Sequence, residues 1–192
     1  MFNSVFKSVY FIEFLIITIV RKYYTGKQQG KSMAKDRKSG LEIFWLVLNG
    51  IGMIIPLVYV FTTRLDFANY NLPDWVGWAG AVLFLDAIWL LYVSHRDLGR
   101  HWTAIVGIRE GHRLITTGIY KHIRHPMYAA HLVWAIAQIL ILHNWIAGYS
   151  FIVTMVPFYF YRTRKEEKML LEEFGEEFLL YKQRTGALFP RI

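Results

Sequence analysis

An all-α integral membrane protein with five transmembrane helices is the fold class this sequence predicts. Three observations predict it. Hydrophobic residues make up 55% of the 192-residue chain and charged residues 19%, with seven tryptophans; an ordinary soluble domain has about 45–50% apolar and about 25% charged residues. The apolar residues fall into five runs, each near the ~20 residues that a membrane-spanning helix requires. Lysine and arginine concentrate in alternate gaps between those runs.

The first run, 5–24, carries one carboxylate, Glu13. No small-residue cleavage site follows it, and a basic stretch from Arg21 to Lys38 does, so it reads as a retained anchor helix rather than a signal peptide. The second run, 41–63, contains Gly50, Gly52 and Pro56; its glycines allow another helix to approach closely. Asn71-Leu-Pro-Asp74 is a turn that leads into the third run, 75–93, which contains Asp86. The fourth and fifth runs, 127–142 and 145–161, are separated only by His143 and Asn144, which predicts a tight antiparallel hairpin. His125-Pro126 suits the first turn of the fourth helix, because proline is pre-set for that position. Beyond Arg162, Leu170, Phe174, Phe178 and Tyr181 recur at helical spacing on an otherwise polar segment. This predicts an amphipathic C-terminal helix, bent at Gly175, that lies on the membrane surface or covers a site. Without internal repeats or a linker, the chain reads as a single domain, 1–192.

The loop after the first run holds seven Lys or Arg, the loop from His95 to His125 six, and the tail from Arg162 seven; the alternate side holds Lys7 and Arg64. That asymmetry places the N-terminus outside and the C-terminus in the cytoplasm. It also accounts for the net charge of +8 through topology and anionic lipid rather than nucleic acid. The absence of cysteine excludes disulfides, thiolate metal sites and a cysteine nucleophile.

Two polar clusters interrupt this pattern, both on the expected cytoplasmic side. Gly111 to Tyr128 packs His112, His122, His125, Tyr120 and Tyr128 between apolar runs, and Arg162 to Glu167 directly follows the fifth. Polar groups at a membrane edge are costly unless they are engaged, so the clusters read as two halves of one site. Taken alone, Arg162, Arg164 and Lys165 would be membrane-edge anchors, His125-Pro126 a helix start, and Glu172, Glu173, Glu176 and Glu177 a solvated face. His112, His122 and His125 lack the tight ligand set of a zinc site, and no metal is expected.

Gly111-His-Arg-Leu-Ile-Thr-Thr-Gly-Ile-Tyr120, Arg124-His-Pro-Met-Tyr128, Arg162, Glu166-Glu167, Glu173-Phe-Gly-Glu-Glu177 and Tyr181 together resemble the isoprenylcysteine carboxyl methyltransferase family in its short, five-span prokaryotic form. The likeness runs over about 98–190. It implies an integral membrane enzyme that uses S-adenosylmethionine in a cytosolic pocket. By position it assigns cofactor contacts to His112, Leu114, Ile115, Gly118, Tyr120, His125, Pro126, Met127, Tyr128 and Glu167. Arg162 and Glu166 take substrate-binding and catalytic roles. A polar family contact would land near Ile105, where this chain departs from the pattern. The implied acceptor is a lipid-like molecule, the carboxylate of a prenylated cysteine or an analogue, with no nucleic acid and no obligate protein partner.

Side-chain chemistry is compatible with that assignment. Histidines, Arg113 and Arg124 can hold the donor's carboxylate, and tyrosine faces suit its sulfonium. An acceptor carboxylate is already ionised near pH 7, so no general base is needed, and Arg162 can grip it. Other readings differ in chemistry. A phospholipid amine as acceptor would require Glu166 or Glu167 as base. A nicotinamide-dependent sterol reductase shares a similar Arg-His-Pro-x-Tyr region but usually has more spans. A non-catalytic scaffold would have no use for the polar clusters.

Overall fold

The computed structural model describes residues 2–26, 33–36, 40–99, 107–109 and 113–191. Five helices dominate it: α1 (Phe2–Gly26), α2 (Gly40–Phe61), α3 (Asp74–Leu98), α4 (Pro126–Leu142) and α5 (Trp145–Arg184). By length and composition, α2 and α3 are each able to cross a membrane, and α4 is a shorter apolar helix. The expectation of a purely α-helical chain needs one addition. A small antiparallel ribbon pairs β1 (Met33–Asp36) with β2 (Gly107–Arg109), joining the α1–α2 and α3–α4 connections.

Aromatic packing centres the bundle. Trp134 of α4 is fully buried between Phe84 of α3 and Phe151 of α5, with ring centroids 5.4 and 4.7 Å away. Tyr10 of α1 packs on Phe84, and its hydroxyl donates to Gln138 Oε1 at 2.9 Å. Large apolar side chains such as Trp78, Val82, Trp89 and Val153 point outward instead. A soluble domain rarely presents so much apolar surface, whereas a lipid-facing one does. Glu13 is buried and Asp86 is exposed on α3; neither reaches the site described below.

The α4–α5 hairpin is as tight as its two-residue spacing predicts. Pro126 opens α4, and His143 leaves it in the left-handed region. Asn144 then caps α5, its Oδ1 accepting the N–H groups of Ile146 and Ala147 at 3.0 and 2.8 Å. The same side chain's Nδ2 donates to the Leu65 carbonyl at 2.7 Å and to Asn69 Oδ1 at 2.8 Å, which ties the hairpin to the α2–α3 connection. Gly52 permits a close approach of α2 to α5. A Cβ there would lie 2.1 Å from Thr154 Oγ1, and Ser150 Oγ donates to the Gly52 carbonyl at 2.8 Å.

The last helix differs from the expectation. Instead of a span ending near 161 and a separate surface helix, α5 continues for 40 residues, with non-helical backbone only at Gly175 (φ 50°, ψ −120°). The polar cluster after Tyr161 contains no helix breaker, and Arg162 and Glu166 form an i,i+4 pair that supports the helix through it. Helical rise makes α5 about 60 Å long before bending is considered. Its later turns cover the bundle end where the cavity opens: Met169, Phe178 and Tyr181 are buried, while Glu172, Glu173, Glu176 and Glu177 are exposed.

Candidate active site

The two polar clusters meet at one end of the bundle. The last turns of α1 and α3, the first half of α2, the start of α4 and the middle of α5 enclose a single cavity of about 370 Å³, within the usual range for a small-molecule site.

Tyr120 reaches the cavity on a short 3-10 turn, Gly118–Lys121. Gly118 starts that turn at φ +60°, and a Cβ there would lie 2.2 Å from Asp97 Oδ2. The same Asp97 oxygen accepts the Ile119 N–H at 2.8 Å, fastening the turn to the end of α3. Tyr120 donates to the Ser94 carbonyl at 3.3 Å, and Tyr181 donates to the Tyr120 carbonyl at 2.7 Å. Burial pushes the Tyr120 phenol well above its ordinary range, so it acts as a neutral ring and donor.

Arg124 and His125 connect the loop to α5. Glu167 Oε1 accepts from Arg124 Nε at 3.2 Å and from His125 Nε2 at 3.1 Å, and Lys182 Nζ lies 2.6 Å from Glu167 Oε2. The hydrogen bond from His125 outweighs partial burial, and with Lys182 and Arg124 it holds the Glu167 carboxyl down to about 2. Arg124 also donates to the Lys182 and Thr185 carbonyls. The backbone N–H groups of Arg124 and His125 donate to the carbonyls of Gly186 and Ala187 at 2.9 and 3.0 Å. The end of the chain is thereby stitched to the loop.

Glu166, one residue earlier, points into the cavity. Its Oε1 accepts from Arg162 Nε at 3.1 Å and from Tyr128 Oη at 2.7 Å, while His125 Nδ1 lies 3.8 Å from its Oε2. Successive residues on a helix face differ by about 100°, so Glu166 meets the cavity and Glu167 the clamp behind it. Apolar side chains make up much of the remaining wall: Leu46 and Met53 of α2, Leu98 of α3, and Met155 and Phe158 of α5.

Of the residues singled out from sequence, Leu114, Ile115, Tyr120, His125, Pro126, Met127, Tyr128, Arg162 and Glu166 all line this cavity. Gly118 and Glu167 do not; one shapes the Tyr120 turn and the other anchors His125. His112 lies outside the described residues. His122 is exposed; Arg113 reaches the cavity wall, and so does Arg124, whose charge is taken up by the clamp. Sequence reasoning missed Arg21, His95, Asn49 and His131, which also line it. His131 could have been found three residues beyond Tyr128, on the same helical face.

A model of the isoprenylcysteine carboxyl methyltransferase family matches residues 78–172, the stretch that supplies Tyr120, Tyr128, Arg162 and Glu166. The chain belongs to the isoprenylcysteine carboxyl methyltransferase family. Among its relatives, protein-S-isoprenylcysteine O-methyltransferase B of Arabidopsis thaliana is 28% identical over 144 residues, covering 74% of this chain and 73% of that protein. The human protein-S-isoprenylcysteine O-methyltransferase is 41% identical over 83 residues, covering 43% of this chain but 29% of the human protein. A solved structure of a eukaryotic intramembrane Ras methyltransferase, an isoprenylcysteine carboxyl methyltransferase, shares the fold with a TM-score of 0.54 at 22% identity, over 95% of this chain and 62% of that one. The chain thus matches only part of the length of the human protein and of the solved structure. Its family and its apolar helices make it a membrane protein.

Proposed function

We propose that this protein is an S-adenosylmethionine-dependent methyltransferase that esterifies the carboxylate of a prenylcysteine-like acceptor at the cytoplasmic face of a membrane. The observation that carries the reading is the Arg162–Glu166–Tyr128 cluster set into a cavity whose remaining walls are largely apolar. An acceptor with a charged head and a hydrocarbon body needs that combination. The names of the curated relatives point the same way.

S-adenosylmethionine, when bound, supplies an electrophilic methyl group on a sulfonium. The residues present suit such a cation: the rings of Tyr120, Tyr128 and His125 and the Glu166 carboxylate face one space. Leu114, Ile115, Pro126 and Met127 would hold its less polar parts, with His112 as a further contact. Gly118 and Glu167 serve that pocket through Tyr120 and His125. An acceptor carboxylate arrives ionised, so no side chain has to remove a proton. The work left to the protein is alignment and exclusion of water. Arg162 grips the acceptor with a guanidinium that carries five N–H donors, and Glu166 and Tyr128 fix that guanidinium's direction.

The same reading sets five spans, at 5–24, 41–63, 75–93, 127–142 and 145–161, with the N-terminus outside and the C-terminus in the cytoplasm. It is supported by the charge asymmetry and by the convergence of alternate helix ends on the cavity. Purified protein incubated with labelled S-adenosylmethionine and an S-prenylated N-acetylcysteine is expected to yield a base-labile methyl ester. Label found only in lipid headgroups, or no binding of the methyl donor, defeats the proposal.

A further inference from the structure

We infer that Arg21 of α1 is a second anion-holding residue of this cavity and takes the acceptor's carboxylate together with Arg162; the inference rests on the methyl-transfer reading above. Arg21 lies outside the stretch matched by the family model, yet it lines the cavity. Its Nη1 lies 3.2 Å from His131 Nε2, and His131 Nδ1 lies 2.6 Å from the Met127 carbonyl oxygen. A carbonyl only accepts and a guanidinium only donates. His131 therefore carries its proton on Nδ1 and offers a lone pair at Nε2, so it is neutral. It orients Arg21 without neutralising it.

Several other cations around the site have acids. Arg162 pairs with Glu166, Arg124 and Lys182 with Glu167, and Lys165 with Glu42. Among the described residues no carboxylate pairs with Arg21. A half-buried guanidinium without an acid is costly to hold at the end of a membrane helix unless an anion completes it.

Two anions could enter: the carboxylate of the donor and that of the acceptor. The donor's carboxylate travels with an ammonium and a sulfonium, so the donor is a net cation. The acceptor's carboxylate is the lone charge on an apolar body. Position separates them as well. His131 sits one helical turn beyond Met127, away from the loop that carries Leu114, Ile115 and Tyr120. His131 packs on Phe151 of α5, ring centroids 6.2 Å apart, and Met53 and Met155 add apolar wall to the same cavity, suited to a lipid tail. Arg21 thus stands at the join between the polar and greasy halves, the station of the acceptor's head.

The test uses full-length protein in detergent, as Arg21→Gln and the charge-keeping Arg21→Lys, each accepted only with a wild-type melting profile. The probes are an S-prenylated N-acetylcysteine, its primary carboxamide, and S-adenosylmethionine. Arg21→Gln is expected to weaken binding of the acid about 10- to 100-fold, the range for losing a charge-assisted hydrogen bond. Binding of the carboxamide and of the donor should be unchanged, and Arg21→Lys should recover part of the loss. Equal loss for acid and carboxamide, or a loss confined to the donor, overturns the assignment while leaving methyl transfer standing. Wild-type protein that binds neither donor nor acid overturns the proposed function and this assignment with it.

Discussion

Replacing Gly118 by alanine tests whether the Tyr120 turn is set by the backbone beneath it. Two costs can be separated. At φ +60° a side chain is strained by about 1 kcal/mol. The new Cβ would also sit 2.2 Å from Asp97 Oδ2 and 2.6 Å from its Cγ, so the carboxylate must leave. Its hydrogen bond to the Ile119 N–H, 2.8 Å long, then breaks, at about 1.5–3 kcal/mol for a charged acceptor. The sum is about 2.5–4 kcal/mol, concentrated on the turn that presents Tyr120. Gly99→Ala is a control for backbone strain without a clash: φ is +53° and ψ −125° there, outside the left-handed helical region, and no described residue lies within 4 Å of the added carbon, so only strain of about 1–3 kcal/mol applies. Thermal melts in detergent and calorimetric titration of S-adenosylmethionine read both effects. Gly118→Ala should bind the donor about tenfold more weakly, the equivalent of about 1.4 kcal/mol, whereas Gly99→Ala should lose stability and leave donor affinity unchanged. Equal losses of donor affinity in the two variants, or unaltered donor affinity in Gly118→Ala, would refute the account.

Tyr128→Phe removes the 2.7 Å donor to Glu166 and should lower kcat/KM about tenfold, worth about 1.4 kcal/mol, with little change in melting temperature. Glu167 is held down to about 2, first by His125 and then by Lys182 and Arg124. The folded state thus prefers its charged form; that stability is complete above the ordinary value of 4.5 and drains as pH falls from there through about 2. Melting temperature should drop across that window, and Glu167→Gln should flatten the drop. His95 contributes to any loss between pH 6.5 and about 4: its imidazole is lowered to about 4 by burial and then by Arg21, its neutral form is the folded one, and His95→Gln should reduce that loss. Asn144→Ala forfeits the α5 cap and two bonds to the α2–α3 connection. A loss of about 2–4 kcal/mol in unfolding free energy is expected, with donor affinity intact because the residue stands at the opposite end of the bundle from the cavity.

Much of this architecture is legible in the sequence because its signals are local. Pro126 opens α4, Asn71-Leu-Pro-Asp74 precedes α3, and the His143–Asn144 pair closes the hairpin, all within a few residues of their cues. The loop and tail halves of the site were joined by charge and family pattern, and Tyr120 and Arg162 do share one cavity. What stayed hidden depends on direction. Arg21 counts, in sequence, as one more basic residue after an apolar run; only packing against α4 turns it toward His131. Glu166 and Glu167 are alike as letters and differ by a rotation about the helix axis. Polarity after Tyr161 marks where an apolar run ends, not where a helix does: α5 continues through the polar cluster, bends at Gly175 as the sequence predicts, and ends at Arg184.

The seam between α2 and α5 carries one more consequence. It is pinned at Gly52 against Ser150 and Thr154, and again where Lys165 meets Glu42. Ten residues of α2 separate those rivets, about 15 Å of helix. Any doorway from the bilayer between these two rods is therefore a porthole of fixed height. A tail longer than that opening must trail into the surrounding lipid, so selection among acceptors should follow the chemistry of the head more closely than the number of isoprene units behind it.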